Sequence, residues 1–266
     1  MKKIDVATVA GLTIAFGLIL LGNYIEGGSL SSIIQPTAAL IVFGGTFGAV
    51  MVGFSMEQFV EALKALRLFF GRRQQDGRAL LARIVRYAQI ARREGIIALE
   101  EHIEKVEDPF FKRAFLMVVD GIDSKTIRET LEMELGELDE KGEIPARVYE
   151  AAGGYCPTVG ILGAVLGLIH VMSNLADIDK VGSGIAVAFV ATIYGVGAAN
   201  LVLLPAASKL RIKHREDMVL REMIMHGAIA IQQGENPRLI EGKLSVFTHG
   251  QDGGKSNAAL QKKAAA

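Results

Sequence analysis

The residues able to do chemistry in the apolar parts of this chain are few, and what is missing among them matters as much as what is present. Residues 6–25, 27–56, 151–176 and 181–208 contain no Asp, Glu, Lys or Arg. Within them Thr46, Thr158 and Thr192 offer hydroxyl oxygens, His170 is the one imidazole, and no carboxylate occurs. A proton or cation route through hydrocarbon needs ionisable or oxygen-rich groups, which are costly enough there to mark function. If the chain conducts protons, the carboxylate must come from another subunit. His170 lies toward the outer end of its run, where the membrane interface can solvate it, so a structural role is expected. Two prolines carry backbone chemistry instead. Pro157 opens the third run and Pro205 nearly closes the fourth. Inside a continuous helix each removes an N–H and frees the carbonyl four residues back, that of Gly153 or Leu201. Pro157 also reads as the first residue of a helix, whereas Pro205 sits in a helical pattern reaching Arg215 and predicts a kink. Because the two runs cross in opposite directions, both prolines are expected at similar depth. The single Cys156 excludes an intrachain disulfide and a multi-thiolate metal site, and is expected to pack.

The elements that hold these residues follow from the charge distribution. The chain has 266 residues with 29 Lys+Arg against 29 Asp+Glu, a balance with no pull toward nucleic acid. Its charge-free runs are 20, 30, 26 and 28 residues long, and buried helices of soluble domains rarely run about 18 residues without a charge. They predict an all-α polytopic membrane protein with transmembrane helices near 5–23, 35–55, 157–176 and 184–208. Lys2 and Lys3 precede the first run as in a leader, but its length and its exit through Asn23-Tyr24-Ile25-Glu26 predict a retained span. Lys64, Arg67, Arg72, Arg73, Arg78, Arg83, Arg86, Arg92 and Arg93 follow the second run, and Lys209, Arg211, Lys213 and Arg215 follow the fourth. The positive-inside rule then places both termini and a large helical insertion, 56–150, in the cytoplasm. Within it, 78–92 sets Leu80, Leu81, Ile84, Val85, Ala88 and Ala91 on one helical face, and 126–141 repeats the pattern with Ile127, Leu131, Leu135 and Leu138 behind an Asp123 or Ser124 cap. The Glu-rich 129–150 and Arg-rich 64–93 are expected to attract each other as antiparallel helices. The division expected is 1–55 for spans 1 and 2, 151–210 for spans 3 and 4, 211–247 for a cytoplasmic helical segment and 248–266 for a disordered tail.

Gly160, Gly163 and Gly167 share one face of the third span, and Gly184, Ala188, Thr192, Gly195 and Ala199 recur at similar spacing in the fourth. Small residues let helix backbones approach where lipid is as apolar as the side chains, so a tightly packed bundle or oligomer is expected. Several stretches, in order, then resemble a known family: GGS at 27–29, QPTAALIVFGGTFGA at 35–49, RREGIIALE at 92–100, GYCPTVGILGAVLGLI at 154–169 and the ATIYG to Pro205 stretch from Ala191. They resemble the bacterial flagellar motor stator proteins of the MotA/PomA family, over roughly residues 1–245.

The resemblance implies an ion-driven motor unit in the inner membrane, with five copies around two copies of a single-span MotB-like partner that supplies the ion-binding Asp. It implies that Pro157 and Pro205 serve torque generation and that Arg92, Arg93 and Glu100 act on a flagellar rotor (C-ring) protein. Eight positions separate Arg92 from Glu100, about two turns if the helix persists. Sodium-type members place a threonine where this chain has Ala164, while the fourth-span threonine matches Thr192. Sodium needs several oxygen ligands, whereas a proton needs one titratable site and a route. Ala164 therefore favours protons as the transported ion, with no resident cofactor or metal expected, although ATIYG and GGTFGA look closer to the sodium-driven, PomA-type branch. An ExbB/TolQ-like proton channel subunit is the nearest rival, but it resembles a three-span plan with an outward N-terminus. A secondary transporter would want inverted repeats or broken polar helices, and an enzyme would want a metal-ligand spacing, nucleophile elbow or phosphate loop, none of which the sequence contains.

Overall fold

The computed structural model describes residues 5–71 and 76–249, and those residues are all-α. In chain order the helices are α1 (Val6–Ile25), α2 (Leu30–Ile33), α3 (Pro36–Ala39), α4 (Gly45–Gly53), α5 (Met56–Phe70), α6 (Gly77–Glu94), α7 (Glu100–Glu104), α8 (Pro109–Val119), α9 (Ser124–Ser173), α10 (Ile178–Ala198), α11 (Leu204–Gln232), α12 (Pro237–Leu244) and α13 (Val246–His249). π-Helical turns lie at Leu40–Gly44 and Ala199–Leu203, and a 3-10 turn at Ile96–Leu99. Four helical stretches are long and apolar enough to cross a membrane: Val6–Ile25, Leu30–Gly53, Ser124–Ser173 and Ile178–Gln232. Helix starts are written locally. Asp5, Asp76, Asp108, Asp177 and Asn236 accept backbone N–H bonds as caps, and Pro36, Pro109 and Pro237 take opening positions where a missing N–H is harmless. Lys2, Lys3, Arg72, Arg73 and residues 250–266 of the expected disordered tail lie outside the described residues. The expected tail begins two residues too early, because α13 carries Thr248 in a buried position.

The chain divides into two compact units, residues 1–72 with 142–212, and residues 73–141 with 213–266. The first unit therefore takes in α5 and residues 142–150, which the charge pattern had grouped with the insertion. The reason is a small apolar face: Ala62, Ala65 and Phe69 are buried with Val148, Tyr149, Ala206 and Leu210, and the Tyr149 hydroxyl donates to the Ala62 carbonyl at 3.0 Å. Ala38, Val42, Cys156, Val190, Ala191 and Ala199 form its other buried cluster.

The second unit has a conventional core in which Phe110, Phe111 and Phe115 of α8 pack with Ile84, Leu99, Ile103, Ile127, Leu131 and Leu220. On α6 the buried face is Ile84, Tyr87 and Ala88, with Tyr87 in place of the expected Val85. Asp123 caps α9 by accepting from the Lys125 and Thr126 N–H groups, both at 3.0 Å. The Thr126 hydroxyl and these N–H groups hold its carboxyl below the ordinary carboxylate range. Glu129, Glu132, Glu137 and Glu143, expected to attract the Arg-rich stretch, pair instead with Lys125, Arg128, Lys141 and Arg147 one turn away on α9 itself.

Candidate functional site

The first unit is organised around one seam between α9 and α10. A Cβ at Gly195 would stand 2.7 Å from the Cys156 carbonyl oxygen and 3.0 Å from the Gly160 Cα. At Gly160 it would meet the Ala191 carbonyl at 2.9 Å, at Gly163 the Ala191 methyl at 2.9 Å, and at Gly167 the Gly184 carbonyl at 2.8 Å. The structure thus brings these four glycines together within a single chain, at a spacing that only glycine permits. The contacts run antiparallel, so they fix a register. Gly163 touches Ala191, so their neighbours Ala164 and Thr192, both half-buried, step away from that contact in opposite directions and lie within about one helical turn of each other along the seam. The Thr192 hydroxyl donates to the Ala188 carbonyl at 3.2 Å and keeps its lone pairs free to accept. Within that turn Ala164 offers only a methyl.

The two prolines sit at backbone irregularities of this seam. Because α9 runs unbroken from Ser124 to Ser173, Pro157 is a helix-interior residue, not a first residue, and Pro145 is a second interior proline. A helix already wound through 33 residues imposes the helical conformation on Pro157 and leaves the Gly153 carbonyl without its donor. The irregularity expected at Pro205 takes the form of a π turn: Leu204 donates its N–H to the Ala199 carbonyl five residues back, so the register slips just before Pro205 would interrupt it. The Leu204 side chain seats over Gly153, where an added Cβ would lie 2.6 Å from its Cδ2. Gly153 precedes Pro157 by four residues, so the prolines are offset by about one helical turn, roughly 6 Å, along α9.

In the second unit Arg92 and Arg93 occupy the last turn of α6 and Glu100 opens α7. The helix does not persist between them. Gly95, at φ +89°, ends α6 in a conformation that favours glycine, and the 3-10 turn Ile96–Leu99 separates α6 from α7. Cations therefore sit at a helix C-terminus and an anion at a helix N-terminus, each favoured by the peptide dipoles. All three are exposed, with no charged partner among the described residues.

Comparison with known proteins decides the family. Residues 9–95 match the motility protein A N-terminal family and residues 102–223 the MotA/TolQ/ExbB proton channel family. Motility protein A of Bacillus subtilis is 34% identical over 249 residues, covering 93% of this chain and 92% of that protein. The chain belongs to the motility protein A family. Another member, the chemotaxis protein PomA of Vibrio alginolyticus, is 34% identical over 243 residues, with 91% of this chain and 95% of PomA covered. The solved flagellar MotAB stator complex from Bacillus subtilis contains a chain that matches with a TM-score of 0.85 at 34% identity, over 93% of this chain and 98% of that one.

Within this motility protein A fold the structure adds residues that the sequence did not single out. Tyr194, inside the ATIYG stretch, donates its hydroxyl to the Ile33 carbonyl at 2.6 Å and accepts from the Gln35 N–H at 3.1 Å. It ties the break between α2 and α3 to α10. Lys209 ion-pairs with Asp5, bonds the Thr8 hydroxyl and lies over the Phe69 ring at 5.8 Å, joining α1, α5 and α11. Neither was legible, because each joins residues more than 100 positions apart. His170, exposed, lines a cavity of about 410 Å³ with the polar Gln35, Thr37 and Ser183 and the apolar Ile41, Leu166 and Val187. Thr46 is buried and donates to the Val42 carbonyl at 2.6 Å, and Thr158 to that of Tyr155 at 2.7 Å.

Proposed function

We propose that the chain is the stator subunit of a bacterial flagellar motor, which forms with a MotB-like single-span partner an ion channel whose flow drives rotation. The observation that carries this is the match to a flagellar MotAB stator chain over 98% of its length. The absence of a carboxylate in the four charge-free runs supports the partner as the source of the ion-binding Asp. Five copies surround two partner helices in this reading, with α9 and α10 facing the centre and both termini in the cytoplasm. Arg92, Arg93 and Glu100 meet the rotor, which suits three exposed charges without a charged partner among the described residues.

The coupling ion is the proton. Thr192 offers one acceptor oxygen and Ala164, within about one turn of it along the seam, offers none, so the pair is a poor replacement for the water shell of sodium. A carboxylate beside them needs only to gain and lose a proton. A second reading, sodium coupling, is favoured by the likeness to PomA, which equals that to the Bacillus protein at 34%. Swimming speed in sodium-free medium, with and without a proton uncoupler, separates the two. Speed that persists without sodium and collapses with the uncoupler is expected; sodium-dependent swimming that survives the uncoupler overturns the proton reading.

A further inference from the structure

We propose that the face of α6 around Arg83 and Arg86 is a binding site for the phosphoryl group of a small soluble molecule. Ala79, Ala82, Arg83, Arg86 and Tyr87 of α6, with His102 of α7, line a cavity of about 340 Å³ in the second unit. Residues 79, 82, 83 and 86 recur at helical spacing, so they form one stripe in which two methyl-sized side chains leave the hollow and two guanidinium groups flank it. No acid lines it. Other cations of this unit do find a carboxylate: Lys105 pairs with Glu101, Arg113 with Glu134, Arg128 with Glu132, and Lys243 with Glu235. Arg83 and Arg86 have no carboxylate partner among the described residues.

The walls are fixed before any ligand arrives. Arg83 lies over the ring of buried Phe111, 5.9 Å from its centroid. Phe111 stacks on Phe115 at 4.4 Å, and Tyr87 packs edge-on against both rings. The Tyr87 hydroxyl donates to the His102 carbonyl at 3.0 Å and so ties α7 to α6 beside the cavity. Two guanidinium groups one turn apart, each with a planar fork of donors, suit the oxygens of a phosphoryl group, and His102 adds a third donor. Rigid walls lower the entropy lost on binding. The cavity's size favours a compact soluble phosphate over a protein segment.

The test uses the full stator complex in detergent, titrated with pyrophosphate in a calorimeter. Saturable binding is expected, with Arg83→Gln and Arg86→Gln each weakening it about tenfold or more. Ala82→Leu and Ala79→Leu fill the hollow without changing charge and are expected to do the same, while Arg113→Gln on α8 is neutral. Absent saturable binding, or undiminished binding by both leucine variants, overturns the proposal. So does stronger binding of hexaglutamate than of pyrophosphate, which would assign the face to an acidic protein segment, or binding confined to phosphatidylglycerol vesicles, which would assign it to lipid.

Discussion

A single methyl group tests the seam. Gly195→Ala places its Cβ 2.7 Å from the Cys156 carbonyl, so α9 and α10 must part, and overpacking of this kind costs about 1–3 kcal/mol. Gly136 on α9 has nothing within 4 Å of an added Cβ, and Gly136→Ala is expected to stabilise by roughly 0.5–1 kcal/mol through helix propensity. Thermal unfolding of the purified complex should therefore move in opposite directions for the two variants; a shared direction would mean that the seam is not close-packed. His226 gives a titration at the same scale. Burial, helped by the Arg128 cation, holds it below its ordinary 6.5, against the opposing pull of Glu222 and Glu132. The unfolded chain then takes the proton more readily, so this contribution is full above pH about 6.5 and is lost as pH falls through the folded value. Asp123 and Glu137, held below the carboxylate range, lose theirs only in stronger acid. Amide exchange across α11 to α13 should quicken, beyond its intrinsic pH trend, from pH about 7.5 to 5.5. His226→Gln should flatten that change. The four packing glycines were readable from spacing because the seam is helical and regular. Tyr194 and Lys209 were not, since a hydroxyl strap and a cation under a ring depend on partners brought from distant sequence.

Where the backbone departs from a regular helix, the sequence indicated the place but not the form. Pro205 predicted a kink; the structure absorbs it in the π turn Ala199–Leu203, because one inserted residue moves the hydrogen bonds out of the proline's way. Pro157 pointed both to a helix start and to an interior position, and only the unbroken α9 decides between them. The two-turn spacing of Arg92 and Glu100 depended on a helix persisting between them, and α6 ends at Gly95, whose φ of +89° no periodicity encodes. Pro205→Leu restores an N–H that can bond the Leu201 carbonyl, so the π turn is expected to revert to α-helical register and rotate the residues before it relative to α9. The complex should assemble at normal yield yet fail to swim, as judged by co-purification with the partner and by tethered-cell rotation. Normal rotation would show that the π turn is a passive accommodation of the proline.

At the scale of the whole molecule, one chain covers only part of its apolar surface. α1 buries none of its residues, and α9 leaves Ile161, Leu162, Val165, Leu168 and Ile169 exposed. In the proposed five-copy arrangement lipid and neighbouring copies share that surface, and native mass measurement of the solubilised complex is expected to give five copies with two of the partner; a stable monomer or strict dimer would sink that arrangement. The charges proposed to meet the rotor follow a different physics. Arg92 and Glu100 stand at two helix termini on either side of Gly95, exposed and without charged partners among the described residues, so any rotor charge they meet is reached through solvent. Exposed pairs contribute only about 0–1 kcal/mol and weaken with salt. Arg92→Gln or Glu100→Gln alone should therefore slow swimming modestly. Reversal of both, Arg92→Glu with Glu100→Lys, replaces attraction by repulsion at two points and should slow it far more, with torque recovering when complementary rotor charges are reversed in turn. Motility at normal speed in the double reversal, or no rescue by any rotor reversal, would return Arg92 and Glu100 to the role their helix positions alone would give them, that of stabilising the ends of α6 and α7.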